Sequence, residues 1–249
     1  MRKTAAGILF LAALCGCGGD RPTAADSAPR PLAAAAVREL GAVSRPATVV
    51  GRDGGPSALV GGRVLWTFGD TFFTRLASDG AGFRSNTAAS ADPARPLEAV
   101  EPTDAAGTPL AAVPFTPEEQ AYNDRTGRPD DRIALWIGSL APEPDGSALA
   151  FVSKLYVRPG TLNYEDIGAA LARFRPGSTV GQRLPGLVFT APEPNFVHAA
   201  LVEGGFVHLL GKLAGREQRY AIARVPRAQA ADRGAYQFWN GREWSADLR

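Results

Sequence analysis

Short apolar runs separated by turn residues make up most of the chain after about residue 46. The runs fall into three clusters, which begin near residues 47, 132 and 195. Runs of this length that are bounded by Gly, Pro and Asn predict antiparallel β-strands joined by tight turns. Such clusters suit the four-stranded sheet that a β-propeller repeats every ~40–50 residues. The pattern therefore predicts an all-β fold and favours a β-propeller, with a β-sandwich as the alternative.

A hairpin around Gly61-Gly62 is the most definite predicted element. A two-residue hairpin turn needs positive φ angles, which glycine adopts without strain, and apolar runs flank the pair on both sides. A turn at this position sets the register and predicts the residues that face each other, which are Val60 and Arg63, Ser57 and Trp66, and Asp53 and Asp70.

The last of these pairs points to function. Directly opposed carboxylates repel each other, so a fold gains nothing from placing Asp53 opposite Asp70. The pair therefore indicates a functional site on the hairpin. The intervening Gly54-Gly55-Pro56 invites a bulge, which leaves the register at Asp53 open.

Other segments give weaker predictions. A second hairpin is expected around Gly204-Gly205, with His198 and His208 on opposite arms as ordinary strand histidines and not as metal ligands. Residues 166–174 fit a helix or a third strand equally well. Residues 93–120 are expected to be largely loop because prolines interrupt them repeatedly.

Composition narrows the class of protein. The chain has 249 residues, 45% hydrophobic and 21% charged, which is a globular composition. A formal net charge of +2 is too balanced to predict a nucleic-acid-binding protein.

The N-terminus resembles a bacterial export signal. Arg2-Lys3 precedes a short apolar run, and Leu14-Cys15-Gly16-Cys17 is similar to a lipoprotein cleavage box. We predict a signal peptide over residues 1–16, lipidation of Cys17, a flexible tether over residues 17–45 and a folded domain over residues 46–249. The expected location is the bacterial cell envelope, with the exported protein held at the membrane by its lipid.

The hairpin also resembles a known family. Gly51 to Ser57 and Leu65 to Phe72 are similar to the opening of a bacterial domain-of-unknown-function family, some of whose actinobacterial members are endo-D-arabinanases. Those enzymes are five-bladed β-propeller glycoside hydrolases. The resemblance continues loosely through three later segments, 133–136, 154–156 and 221–244. It implies that Asp53 and Asp70 are the catalytic pair and that a sugar polymer binds across the mouth of the propeller.

The resemblance also indicates what the chain lacks. Family members place closing blades after the turn formed here by Trp239-Asn240-Gly241, so we expect a partial propeller that is incomplete at the C-terminus.

Glycoside hydrolysis by paired carboxylates requires no metal or cofactor, and we predict none. One carboxylic acid protonates the leaving oxygen and the other carboxylate acts as nucleophile or base. Their proximity is expected to separate the two pKa values, without indicating which residue is the acid.

The predicted substrate contacts are Arg52, Asn86 and Trp136. Each has an alternative role. Arg52 would otherwise be a solvated charge, Asn86 an Asx-turn residue and Trp136, like Trp66, a core residue. We expect Glu165-Asp166 and Asp130-Asp131 to be solvated loop charges.

The leading hypothesis is thus a monomeric, lipid-anchored glycoside hydrolase that acts on a polysaccharide, for which arabinofuranose-containing polymers are candidates. The alternatives are a non-catalytic, lipid-anchored propeller that binds glycan or protein, and a truncated family member without activity.

Overall fold

The structure is a computed structural model that describes residues 36–213 and 219–248. The chain divides into two compact units, Met1–Leu40 and Gly41–Arg249. The predicted signal peptide and Cys17 lie outside the described residues, as does most of the predicted tether. Residues 36–45 contain neither helix nor strand. Among the helices in the described ranges, none is long and apolar enough to cross a membrane.

The second unit is all-β, as predicted, with one α-helix within the described residues. That helix, α1, spans Pro117–Thr126. The strands in chain order are β1 (Val49–Arg52), β2 (Ser57–Val60), β3 (Arg63–Phe68), β4 (Thr71–Phe73), β5 (Phe83–Arg84), β6 (Thr87–Ala91), β7 (Arg132–Pro142), β8 (Ala148–Val157), β9 (Tyr164–Phe174), β10 (Gln182–Arg183), β11 (Phe189–Thr190), β12 (Asn195–Glu203), β13 (Phe206–Lys212), β14 (Tyr220–Pro226), β15 (Gln237–Trp239) and β16 (Trp244–Ser245).

The strands form four antiparallel sheets, built mainly from consecutive strands. Their orders are β1-β4-β5, β2-β3-β6, β10-β9-β8-β7 with β11 also on β9, and β12-β13-β14-β15-β16. Within the described ranges, no sheet closes on itself.

The first hairpin has the predicted register. Ser57 pairs with Trp66 and Val60 with Arg63, and both glycines of the turn have positive φ angles, +56° and +78°. The same register continues beyond the Gly54-Gly55-Pro56 break, because Arg52 pairs with Thr71 in β1 and β4. The break therefore interrupts the strand without changing the register of the hairpin.

The structure settles one ambiguous prediction and corrects another in two later segments. The ambiguous stretch from residue 166 belongs to β9, because β8 and β10 flank it and its residues from Gly168 to Leu171 are buried. The expectation that residues 93–120 are largely loop misses the first turn of α1. Thr116 caps this helix in a reciprocal capping box with Glu119, which satisfies the free amides of the first turn.

The core lies between successive sheets in two clusters. One cluster joins β2 and β3 to β7, β8 and β9, with Leu65, Leu135 and Phe174 among its members. The other joins β8 and β9 to the last sheet and contains Phe151 and Phe196. Strand β7 therefore packs next to the first hairpin, which brings its N-terminal residues close to Asp70.

Candidate functional site

Asp53 and Asp70 occupy matched positions on the interrupted hairpin. Asp53 follows β1 at the Gly54-Gly55-Pro56 break, and Asp70 lies between β3 and β4. The Asp53 amide donates to the Asp70 carbonyl at 3.3 Å, and the Gly69 amide donates to the Asp53 carbonyl at 2.9 Å. Two backbone hydrogen bonds thus fix the residues relative to each other.

Gly69 makes room for the Asp53 carboxylate. A Cβ atom at Gly69 would lie 2.1 Å from Oδ1 of Asp53, well inside contact distance. Gly54 is similarly restricted, because it has a φ of +75° and a Cβ there would lie 3.1 Å from the Gly69 amide nitrogen. The two glycines, one on each arm of the interrupted hairpin, allow the Asp53 side chain to fold against the backbone next to Asp70.

Arg132 and Trp136 hold the Asp70 carboxylate. The Arg132 guanidinium donates to both of its oxygens, at 2.9 and 2.8 Å, and the Trp136 indole donates to Oδ1 at 3.1 Å. Both donors lie on β7, and they share a face of the strand because they are four positions apart. The strand thus presents a bidentate clamp and a third donor to a single carboxylate.

Arg132 is itself fixed by its surroundings. Its guanidinium lies 4.8 Å from the centre of the Phe83 ring and donates to the Pro129 carbonyl at 2.8 Å. The side chain is only 10% exposed, compared with 16% for Asp70. The ion pair is therefore largely shielded from water, which strengthens it and makes either charge costly without the other.

Asp53 is in a different electrostatic environment. Partial burial raises the pKa of its carboxyl group, and the negative charge of Asp70 raises that pKa further. Backbone hydrogen bonds from Asp70 and from Asp53 itself act in the opposite direction without cancelling the rise. Of the two carboxyl groups, Asp53 is the one with the environment of a proton donor.

Arg52 is engaged inside the protein, although the sequence made it a candidate substrate contact. It forms an ion pair with the buried Glu101, donates to the Ser44 carbonyl at 2.9 Å and stacks 3.5 Å from the centre of the Phe68 ring. Burial raises the pKa of Glu101, and the positive charge of Arg52 opposes that rise. These contacts give Arg52 the role of counter-ion to Glu101.

Asn86 is also used structurally. Its side chain is 2% exposed, donates to the carbonyls of Val113 and Leu135 at 3.2 and 2.9 Å, and accepts from the Val113 amide at 2.6 Å. Its amide hydrogens and oxygen are therefore already engaged with backbone groups. The geometry makes Asn86 a clamp between three segments, and its predicted contact with a sugar stays a prediction.

The two tryptophans differ from simple core residues. Trp66 is half-buried and donates to the Pro96 carbonyl at 2.8 Å, which ties the loop after β6 to the hairpin. Trp136 is half-buried, contacts Tyr164 edge-on at 5.5 Å between ring centres and lines a cavity of about 410 Å³. Trp136 therefore borders this cavity and also contacts Asp70 through its indole N–H.

Two residues of the site, Arg132 and Tyr164, are not predicted from the sequence. Arg132 opens a strand that was recognised, but nothing local indicates that its partner lies 62 residues earlier. Tyr164 starts β9, two residues before the segment that the sequence predicts over residues 166–174. In the described residues, no group of three or more His, Cys, Asp or Glu side chains is arranged to hold a metal ion.

Comparisons with known proteins show a distant structural likeness. No protein-family model and no curated protein sequence matches the chain. A crystal structure described as a "putative hydrolase" from Bacteroides ovatus matches with a TM-score of 0.60 and 15% sequence identity. The match covers 83% of this chain and 57% of the other, so this chain spans little more than half the length of that structure. The chain thus shares an all-β fold with that structure, and its resemblance to the arabinanase-type family stays a prediction.

Proposed function

We propose that this protein is a glycoside hydrolase of the bacterial cell envelope that cleaves a polysaccharide with Asp53 and Asp70. The observation that carries the proposal is the contrast between the two carboxyl groups. Asp53 has a raised pKa beside Asp70, whereas Asp70 is held by the cationic Arg132 and by Trp136. Two nearby carboxyl groups in such different environments suit one acid and one carboxylate.

In the proposed mechanism, Asp53 is the general acid. Its carboxylic acid transfers a proton to the glycosidic oxygen while the bond from that oxygen to the anomeric carbon breaks. The Asp70 carboxylate either attacks the anomeric carbon or accepts a proton from the attacking water. Arg132 and Trp136 are positioning residues that orient Asp70 and compensate its charge.

The ligand we propose is an extended sugar polymer, and arabinofuranose-containing polysaccharides are the first to test. Arg132 and Phe83 border a further cavity of about 1160 Å³, which exceeds the usual range for a small-molecule site, about 300–1,000 Å³. The strand clusters and the antiparallel sheets support a propeller architecture for the domain. Lipidation of Cys17 would hold the domain near envelope polysaccharides.

The test is an assay of sugar release from a panel of purified polysaccharides, including arabinan and arabinogalactan. We expect Asp53→Asn and Asp70→Asn each to lower turnover by about 100-fold or more, because general acid catalysis alone contributes about 10²–10⁴-fold. Asp130→Asn is the matched control, since Asp130 is exposed and forms an ion pair with the exposed Arg128. Turnover that persists in both site variants would show that the carboxylate pair is not catalytic.

Sugar binding without hydrolysis is the second candidate function. It is favoured by the bidentate clamp on Asp70, because both oxygens of that carboxylate are already hydrogen-bonded. On this reading, saccharides bind to the purified protein and no polysaccharide in the panel is cleaved.

A further inference from the structure

The cavity beside Trp136 has the composition of a sugar-binding subsite. Strands β7, β8, β9, β12 and β13 all contribute to its walls, and its volume is about 410 Å³. Gly138 on β7 allows the close approach of β12 that forms one wall, because a Cβ atom there would lie 2.3 Å from the Val197 carbonyl oxygen. The cavity is therefore built from the sheets themselves and not from a single loop.

One wall is aromatic. Trp136 and Tyr164 meet edge to face at 5.5 Å, and Tyr164 is 41% exposed. Aromatic side chains combine a flat apolar surface with a polar group, which suits a ligand that has both apolar C–H faces and hydroxyl groups. This wall is the aromatic part of the cavity lining.

Asp166 and Lys212 supply hydrogen-bonding groups to the cavity. The Asn195 amide donates to Ser153 Oγ at 2.5 Å and to Asp166 Oδ1 at 2.9 Å, which fixes the Asp166 carboxylate on one side. No hydrogen bond within the described residues engages Asp166 Oδ2. Within the same ranges, no carboxylate pairs with Lys212. The cavity thus presents a carboxylate that accepts and an ammonium that donates, the two functions that a hydroxyl group can satisfy.

The charges of the lining favour an uncharged ligand. Asp166 and Lys212 carry opposite charges. Burial and the positive charge of Lys212 lower the pKa of His198, which favours its neutral form, against a smaller opposing effect of Asp166. A lining without net charge gives no general attraction to a polyanion. Neutral hydroxyl-rich molecules fit the donors, acceptors and aromatic surface together.

We propose that this cavity binds a neutral sugar unit of the polymer adjacent to the unit at Asp53 and Asp70. The inference rests on the proposed function, and it goes further by naming a second binding position and the residues that form it. Trp136 connects the two positions, since its indole donates to Asp70 while the same residue lines the cavity. Asp166 and Lys212 bind the sugar hydroxyls, and Trp136 and Tyr164 contact its apolar face.

The test is isothermal titration of the full chain with neutral arabino-, galacto- and gluco-oligosaccharides of two to six units, together with oligogalacturonate as the anionic probe. We expect at least one neutral series to bind, and Asp166→Asn to weaken that binding by about tenfold or more, since a hydrogen bond to a charged group is lost. Lys212→Met should weaken it severalfold. Glu165→Gln is the matched control, because this neighbouring carboxylate pairs with Arg158 at 3.4 Å and does not line the cavity.

The outcomes separate the subsite from the proposed catalysis. Unchanged affinity in Asp166→Asn, no binding of any neutral series, or a preference for oligogalacturonate would overturn the subsite. Thermal melting of the variant beside wild type shows whether a loss of affinity comes from misfolding. If saccharide binding depends on Asp166 but no sugar is released, the subsite is supported and the hydrolase is rejected. If sugar release depends on Asp53 but Asp166→Asn binds saccharides as wild type does, the hydrolase is supported and the subsite is rejected.

Discussion

The Arg132 guanidinium binds both carboxylate oxygens of Asp70, at 2.9 and 2.8 Å, although the residues are 62 positions apart in the chain. The contact joins the start of β7 to the first hairpin, so it fixes a side chain of the candidate site and also links two sheets. Removing it should therefore affect both stability and the geometry of the site.

Replacement of Arg132 should destabilise the fold. Arg132→Ala leaves the Asp70 carboxylate shielded from water without its counter-ion, and we expect the free energy of unfolding to fall by about 3 kcal/mol. Urea denaturation followed by circular dichroism measures the change. Arg128→Ala is the control, because the Arg128–Asp130 pair is more than half exposed on both sides and its loss should leave the midpoint unchanged. Equal midpoints for the two variants would contradict the assigned importance of the Arg132–Asp70 pair.

The pKa of Asp53 should depend on Asp70. Since the Asp70 charge is the second-largest cause of the raised Asp53 pKa, Asp70→Asn should lower that pKa towards its ordinary value, 3.8. The freed guanidinium of Arg132 would act in the same direction. An NMR titration of the Asp53 carboxyl carbon measures the shift, with Asp130→Asn as the control. If the Asp53 pKa stayed the same in Asp70→Asn, the two carboxyl groups would not be coupled.

Gly69→Ala should disturb Asp53 more than the fold. The new methyl group would overlap Oδ1 of Asp53, and that carboxylate can rotate away at little cost because it ends a flexible side chain. We expect a stability loss below about 1 kcal/mol. Turnover should fall about tenfold to 100-fold because the proton donor is displaced.

Gly51→Ala is the matched control for this variant, since a Cβ atom at Gly51 meets nothing within 4 Å. Thermal melting and the sugar-release assay are compared for the two. Normal turnover in Gly69→Ala would place the working position of Asp53 elsewhere.

Loss of Arg52 should make stability depend on pH through Glu101. Burial already raises the pKa of Glu101 above 4.5, and removing Arg52 should raise it further. The folded protein then holds a proton that the unfolded chain releases, so stability falls as the pH rises from about 4.5 to the folded-state pKa. We expect Arg52→Met to lower the free energy of unfolding by about 3 kcal/mol at pH 8 and by clearly less at pH 4.

Urea denaturation at pH 4 and pH 8 measures this dependence. Adding Glu101→Gln to Arg52→Met should remove the pH-dependent part and leave the loss of the Ser44 and Phe68 contacts. If Arg52→Met lowered the free energy of unfolding by the same amount at both pH values, Arg52 would not act through Glu101.

Local sequence features predicted the first hairpin well. The Gly61-Gly62 turn and the apolar runs determined its register, and that register holds from Val60 to Ser57 and again at Arg52. The proximity of Asp53 and Asp70 follows from the same short-range pattern. By contrast, α1 was missed because it has no apolar stripe, although Thr116 and Glu119 have the spacing of a capping box.

The tertiary contacts around the site could not be predicted from local sequence features. Arg132 and Asn86 make contacts across 62 and 49 residues, and single-sequence patterns carry no signal for such pairings. Arg52 was a candidate substrate contact because it adjoins Asp53, but its buried partner Glu101 lies in a segment without regular structure. The residues of the candidate site that the sequence does not predict are thus the ones defined by tertiary contacts.

The Asn86 clamp has a consequence for the order of folding. Its partners are 27 and 49 residues away, so its bonds form only after two long loops have closed, each at a cost in chain entropy. The hairpin of β2 and β3 and the meander of β7, β8 and β9 need only short-range contacts and are expected to form earlier. Since Arg132 also reaches Asp70 only when β7 docks, the carboxylate pair would acquire its environment in the last stage of folding. Partly folded chains would then contain the hairpin without the Arg132 and Trp136 contacts.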